Sequence, residues 1–411
     1  MNVVVIGAQW GDEGKGKIVD FLAEGASLIV RFSGGANAGH TIVLGEERYA
    51  LHLIPSGVLH AGKTVVLGAA MVIDPEALFG ELAMLEARGV DASGRVFISD
   101  RAHIVLPSYG ARDREKDAAR RRPLGTTGRG IGVAYAMKCE RDGVRLADLD
   151  SLDALSELSD ADRAFLEKRR ERLLSMAIDL SAYLAGGSPL HQNILFEGAQ
   201  GALLDLDLGT YPYVSSGMSC AAGAAVGGCV GPRALDKVLG VFKAYSTRVG
   251  NGPFPSEFRA DDEAEEGLCR FVRETGREYG VTTGRPRRCG YLDVPALRYA
   301  CRTNSIDVLV MTHLDVYDEL DEVKACVGYR IDGAFVEDFP SSVRALERAE
   351  PVLRAFPGWR RSIAGVGSFD GLPKRAREYI AFIEGFCGVP VGMVSVGAER
   401  GQTMVRSPVW V

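Results

Sequence analysis

Asn2-Val3-Val4-Val5-Ile6-Gly7-Ala8-Gln9-Trp10-Gly11-Asp12-Glu13-Gly14-Lys15-Gly16-Lys17, running on into Ile18-Val19-Asp20-Phe21-Leu22, decides the fold. The β-branched run Val3–Ile6 suits a strand buried on both faces, and Gly7 ends it. Lys17–Leu22 has helical character, so the segment reads as strand, glycine-rich loop and helix. Closely spaced glycines let backbone N–H groups converge on phosphate oxygens, and the following helix adds its positive end. The loop is not a true Walker A motif: counting back from Gly14-Lys15, Gln9 stands where the first glycine is required. Gly16 likewise replaces the magnesium-binding Ser or Thr. Asp12 and Glu13 are the unusual residues, because a carboxylate among phosphate-binding glycines repels phosphate unless it binds Mg²⁺ or takes a proton from a substrate.

The same pattern recurs outward along the chain. Leu28–Phe32, Thr64–Leu67, Ile194–Phe196, Val238–Phe242 and Val308–Met311 read as further buried strands, each leading into a loop with polar residues, and Pro75–Arg88 as a helix. This predicts an α/β fold, one large domain over residues 1–411 with a mainly parallel central sheet flanked by helices, related to phosphate-loop nucleotide-binding proteins. Ligands then bind where loops leave the carboxyl ends of the strands. Asp148–Ser188, rich in Leu, Ala, Asp, Glu and Arg, reads as a helical insertion, and Phe258–Glu278 as a charged, exposed helix.

Composition excludes several classes. The net charge of −6 gives no basic field for nucleic acid, and Arg120-Arg121-Arg122 reads as a solvated loop. The eight cysteines form no Cys-x-x-Cys pair and no zinc-spaced cluster, which fits reduced thiols in a cytoplasmic protein. The N-terminus reads as a strand and not a signal peptide, and no apolar run reaches the roughly 18 residues of a membrane span.

A second loop, Gly34-Gly35-Ala36-Asn37-Ala38-Gly39-His40-Thr41, follows the Leu28–Phe32 strand and brings Asn37 and His40 toward the first loop. A single histidine is often structural; small residues on either side leave room for a ligand here. Gly-Asp-Glu-Gly-Lys-Gly-Lys followed by Asn-Ala-Gly-His-Thr resembles the paired signature of the adenylosuccinate synthetases. The resemblance continues through Leu51–Gly57, Gly125–Gly132, Phe196–Gly201, Gly209–Tyr213, Lys243–Gly250 and Val281–Arg285, in family order over essentially the whole chain.

The resemblance implies a reaction in which the γ-phosphoryl group of GTP passes to O6 of inosine monophosphate (IMP) and the amine of L-aspartate then displaces phosphate from C6. It implies Asp12 as the base for N1, with Asp12 and the Gly39 carbonyl as ligands of Mg²⁺. His40 is implied as general acid, with Lys15 and Gln200 as further catalytic residues. GTP is expected against Gly11, Gly14, Lys15, Gly16, Lys17, Gly39, His40, Thr41 and Arg287, its base read by His313, Asp315, Ser395 and Gly397. IMP is expected against Asp12, Asn37, Thr127, Gln200, Ser215 and Arg285. Aspartate is expected on Val281, Thr282, Thr283, Arg285 and Arg287, whose forked guanidinium donors suit a dicarboxylic acid. Arg141 matches an arginine that reaches the neighbouring subunit's site, which implies a homodimer.

The sequence departs from the family pattern at several places. Ala36 stands for a bulkier polar residue, Ser215 for a threonine, and Gly217-Met218-Ser219-Cys220 for a segment richer in Asn and Thr. Pro286 interrupts the arginine run, His313 replaces a lysine, and the insertion at residues 150–190 is shorter than usual. These changes leave open a paralogue with a different purine nucleotide acceptor. A GTP-binding regulatory module is a second alternative, and it leaves His40, Gln200 and the Val281–Arg288 loop without roles.

Overall fold

In the computed structural model, which describes residues 1–155, 158–186, 193–280 and 284–410, Asn2–Gly7 lies at the centre of the main sheet. It pairs in parallel with Lys237–Lys243 on one side and Ile194–Glu197 on the other. Val3 and Val5 face one hydrophobic layer while Val4 and Ile6 face the other, which is why the strand is apolar at every position. From one edge the sheet runs Thr403–Val405, Val391–Ser395, Val308–Thr312, Lys237–Lys243, Asn2–Gly7, Ile194–Glu197, Leu28–Gly34, Thr64–Ile73, Val96–Ser99 and Ala177–Ile178. His103–Ile104 pairs with the far end of Thr64–Ile73. Every pairing is parallel except the last at the Thr403–Val405 edge.

The expected strands and helices are present, most of them a residue or more longer than their apolar runs. The Leu28–Phe32 run extends to Gly34 and the Thr64–Leu67 run to Ile73. The Pro75–Ala87 helix starts behind Asp74, whose carboxylate accepts from the N–H groups of Glu76 and Ala77. The Asp148–Ser188 region holds helices at Asp160–Glu167, Arg170–Leu174 and Leu180–Ala185, but it also supplies the edge strand Ala177–Ile178, which two residues of Ala and Ile do not announce. The charged helix spans Glu263–Gly276 and is largely exposed, whereas Phe258 and Glu278 at the ends of the expected stretch are buried.

Two features were not legible in the apolar pattern. A hairpin of His40–Leu44 and Glu47–Leu51 stands beside the first helix, Lys15–Ala23. A second small sheet of Leu292–Asp293, Glu322–Ile331, Ala334–Val336 and Glu350–Pro357 packs beyond the Val294–Asn304 helix. Among the described residues, no helix is long and apolar enough to cross a membrane, and all eight cysteines are free thiols.

Candidate active site

The loops leaving Gly7, Gly34, Glu197, Thr312 and Ser395 all lie at the carboxyl ends of parallel strands, and their residues surround a cavity of about 1250 Å³. Gly14 ends the first loop with φ 84°, and the Lys15–Ala23 helix begins directly after it with no side-chain cap. Its positive end is thereby left to a ligand. Gly16 has no substitute: a Cβ there would lie 2.8 Å from Cβ of His40, so the glycine allows the second loop to pack on the first.

Glu13 resolves the puzzle of a carboxylate in this loop differently from Asp12. It turns inward, fully buried, where Oε1 accepts from the N–H groups of Gln9 at 3.1 Å and Gly11 at 2.8 Å. Its Oε2 takes a hydrogen bond from Lys15 Nζ at 2.5 Å. Two N–H groups of the loop are therefore spent on Glu13 and are not offered to a ligand. Asp12, at φ 59°, stays part-exposed, with Arg287 Nε 2.8 Å from Oδ2 in an ion pair that lacks hydrogen-bond alignment.

His40 opens the hairpin instead of lying within the loop. Its Nδ1 is 2.5 Å from Oε1 of the buried Glu197, which also accepts from the Ser56 hydroxyl and N–H. Burial favours the neutral ring and outweighs Glu197, so the His40 pKa is lowered. Burial pushes Glu197 up, but the hydrogen bonds from His40 and Ser56 and the charge of Arg31 outweigh it, so its pKa is lowered and it stays ionised. An ionised carboxylate only accepts, which places the ring proton on Nδ1 and leaves Nε2 as the reactive nitrogen. Beneath the pair, the fully buried Arg31 donates to the carbonyl of His52 at 2.5 Å. Nearby, Glu81 accepts from the N–H groups of His52, Leu53 and Ile54. Glu197 is thus a functional residue that the motif reading quoted without assigning; its signal is an acid closing an otherwise apolar buried strand.

At the far end of the cavity, Lys17 donates to Ser395 Oγ at 2.7 Å, Gly397 O at 2.7 Å and Gln402 O at 3.1 Å. Burial brings its pKa down to about 8, against the nearby Asp315 and Glu399. Its ammonium braces the Ser395–Gln402 turn and does not turn back onto the glycine-rich loop. Asp315 follows the Val308–Thr312 strand, its pKa raised by burial. Thr312 Oγ1 donates to the Glu13 carbonyl at 2.7 Å and ties this strand end to the phosphate loop.

Most of the expected site residues are brought together. Gly11, Asp12, Gly14, Lys15, Gly16 and Lys17 line the cavity, as do Asn37, Gly39, His40 and Thr41. Thr127, Gln200 and Ser215 form the wall opposite, and Arg287, His313, Asp315, Ser395 and Gly397 complete it. Gln200, at φ 55°, has its amide nitrogen 3.5 Å from Asn37 Oδ1. Arg285 is exposed and off the cavity wall, as is Arg141 at the carboxyl end of the Ile131–Glu140 helix. Val281, Thr282 and Thr283 lie outside the described residues. Of the departures from the family pattern, Ala36 is buried behind the wall and Met218 faces outward, so only Ser215 and His313 meet the cavity. Arg120, Arg121 and Arg122 are exposed, but Arg120 also lines the cavity, so the run is not only the solvated loop expected.

A family model described as adenylosuccinate synthetase matches residues 4–404. The chain is 45% identical to the adenylosuccinate synthetase of Solibacter usitatus over 99% of this chain and 98% of that one. It is 46% identical to that of Halorhodospira halophila over 98% of each. The fold is similar to the fully ligated adenylosuccinate synthetase of Plasmodium falciparum, with a TM-score of 0.90, 37% identity, and coverage of 99% of this chain and 100% of that one. A succinoaminodeoxyadenylate synthetase of Cyanophage S-2L, bound to dGMP and dATP, shares the fold at a TM-score of 0.64 and 18% identity, covering 99% of this chain and 95% of that one.

Proposed function

The chain belongs to the adenylosuccinate synthetase family, and we propose that its cavity joins L-aspartate to IMP at the expense of GTP with the residues that line it. One observation carries this reading: the phosphate loop, the Asp12 and His40 side chains, the Gln200–Asn37 pair and the Asp315 pocket all open onto a single cavity. A donor nucleotide lies from the Asp315 end to the Lys15 helix, and an acceptor purine against Asn37, Gln200, Thr127 and Ser215. Asp12 takes the N1 proton of IMP, so that O6 attacks the γ-phosphorus and the bond to the GDP oxygen breaks. The aspartate amine then adds at C6, the C6–O6 bond breaks, and phosphate leaves with the oxygen.

His40 begins neutral, with Glu197 fixing its Nδ1 proton, so Nε2 takes a proton from solvent when phosphoryl charge comes near. Glu197 stabilises the imidazolium so formed. Charge on the transferring group is met by Lys15 and by the N–H groups at the helix start. Mg²⁺ would be held by the Asp12 carboxylate and the Gly39 carbonyl, and when bound it neutralises charge on the phosphates. The donor set fits: both are hard oxygens on one cavity, and among the described residues no group of three His, Cys, Asp or Glu offers an all-protein cage. Aspartate is assigned to the Val281–Arg287 loop, and Arg141, outside the cavity of its own chain, to the site of a second subunit.

The relatives that match over the full length at 45–46% identity carry the adenylosuccinate synthetase name, which favours IMP over another purine acceptor. The test is phosphate release with IMP, guanosine monophosphate and deoxy-monophosphates, each with GTP and with or without aspartate. Release that needs both IMP and aspartate supports the reading. Release without aspartate, or turnover only with a guanine nucleotide as acceptor, sinks it.

A further inference from the structure

Glu278 lies just beyond the Glu263–Gly276 helix, where the chain reverses through Arg277 at φ 52°. Its side chain is fully buried and is not part of the cavity wall. Yet one of its oxygens meets a wall residue directly, and the other is linked to one through Tyr245. Oε2 accepts from Arg287 Nη1 at 2.7 Å, and the same guanidinium faces Asp12 with its Nε. Oε1 accepts from Lys243 Nζ and from Tyr245 Oη, both at 2.6 Å. Tyr245 Oη in turn lies 3.3 Å from Nδ1 of His313. Lys243, Glu278, Arg287 and Asp12 form a neutral alternating row, +, −, +, −, and all but Asp12 are buried or nearly so. Burying a carboxylate is costly unless its oxygens are paired and hydrogen-bonded, and these three donors meet that need.

Counting protons fixes the far arm. Glu278 is ionised: burial pushes its pKa up, but the charges of Lys243 and Arg287 outweigh burial and bring it to about 2. It can only accept, so the single hydrogen of Tyr245 is spent on it. Tyr245 Oη therefore accepts from His313, and the proton of the neutral His313 ring sits on Nδ1. His313 lines the cavity beside Asp315, and its Nε2 has no partner among the described residues. The ring thus offers an acceptor, where a lysine at this position offers only donors.

We propose that Glu278 is a positioning residue for both ends of the reaction: through Arg287 it sets the guanidinium that faces Asp12, and through Tyr245 it fixes His313 as an acceptor toward the base of the donor nucleotide. This rests on the assignment of Asp12 and His313 given above. A nucleoside triphosphate base with N–H groups on its edge, as guanine has beside Asp315, is the ligand such a pair of acceptors selects.

The tautomer is read without turnover, from histidine ¹⁵N–¹H spectra of the full chain, with His313→Asn to identify the resonance. The neutral Nδ1–H form is expected in the wild type and a mixture of tautomers in Tyr245→Phe, which keeps every charge. In kinetics, Tyr245→Phe is expected to raise KM for GTP about tenfold with kcat and the KM for aspartate within twofold. Glu278→Gln is expected to lower kcat about 100-fold, because Arg287 loses its anchor, and Glu278→Asp to recover part of it. An Nε2–H ring in the wild type overturns the proposal, as does a folded Glu278→Gln with kcat and every KM within threefold. If Glu278→Gln fails to fold, the spectrum and the KM split of Tyr245→Phe decide alone. A wild type without aspartate-dependent turnover of IMP and GTP refutes the assignment of function instead, and leaves the tautomer measurement standing.

Discussion

Replacing Glu197 by glutamine tests the catalytic role of His40 from the side that no substrate touches. The substitution keeps the shape and removes the charge 2.5 Å from His40 Nδ1. Glutamine still offers one acceptor oxygen, but its NH₂ must then face either the Ser56 N–H or the His40 and Ser56 hydroxyl side, both of which donate to Glu197. One mismatched donor costs about 1–3 kcal/mol of stability, and Arg31 keeps Glu81 as a second nearby charge. The protein therefore folds with a lowered Tm. The imidazolium formed during phosphoryl transfer loses its counter-charge, and a positioned acid is worth about 10²–10⁴-fold in rate. kcat should fall about 10²–10³-fold while the affinities for GTP and IMP stay near wild type. The assay is steady-state phosphate release at saturating substrates, with binding by calorimetry and Tm by scanning fluorimetry. The double variant with His40→Asn should be no slower than His40→Asn alone, because Glu197 acts through the ring. A kcat within threefold of wild type in Glu197→Gln, or additive losses in the double variant, refutes the reasoning.

Asp12→Asn should abolish turnover with nucleotide binding intact, since the amide keeps the shape and cannot take the N1 proton; binding isotherms and single-turnover assays check this. If Arg141 serves a neighbouring site, mixing inactive Arg141→Leu and Asp12→Asn proteins should restore partial activity, and no recovery despite demonstrated subunit exchange would show sites built from one chain. Asp293 is fully buried, its pKa raised by burial to about 6, with Oδ1 accepting from Tyr329 and Ala296 and Oδ2 unpartnered. Its folded pKa lies above the unfolded value, so its contribution is present at low pH and lost as pH rises through 6. Asp293→Asn should therefore gain about 1–3 kcal/mol at pH 8 relative to its effect at pH 4, and an equal Tm change at both pH values would count against it. Asp315→Asn should erode the preference for GTP over ATP and gain activity with xanthosine triphosphate, measured as kcat/KM for the three donors; a wild type indifferent to GTP and ATP would show that Asp315 does not read the base.

The central strands were legible because parallel strands buried on both faces must be apolar at each position, as Val3–Ile6 are. The glycine-rich loop between strand and helix was legible because glycines so spaced mark a sharp turn from a buried strand. What stayed hidden has a common cause: it depends on partners far apart in the chain. Glu13 and Asp12 are adjacent carboxylates with opposite fates, one folded onto the N–H groups of Gln9 and Gly11, the other left at the cavity. Lys15 and Lys17 are two residues apart on one helix, yet one meets Glu13 and the other the Ser395–Gln402 turn. Glu278 read as the end of an exposed helix, because Lys243, Tyr245 and Arg287, which bury it, come from other parts of the chain. The edge strand Ala177–Ile178 is too short for any periodicity.

These pairings bear on how the substrate-free cavity holds its charges. Lys15 can pass from Glu13 to a phosphate because Glu13 keeps two N–H donors when the ammonium leaves. Arg287 can pass from Asp12 to an anionic substrate because Glu278 still holds its Nη1. Neither step leaves a carboxylate without hydrogen-bond donors, which reduces the penalty for breaking a buried pair. Lys17 is different: its three donors are each taken by the Ser395–Gln402 turn, and moving it would open that turn. Two of the three cations are thus exchangeable and the third is fixed. On the reading given above, the exchange of Arg287 also frees Asp12, which couples arrival of an anionic substrate to exposure of the base that starts the reaction.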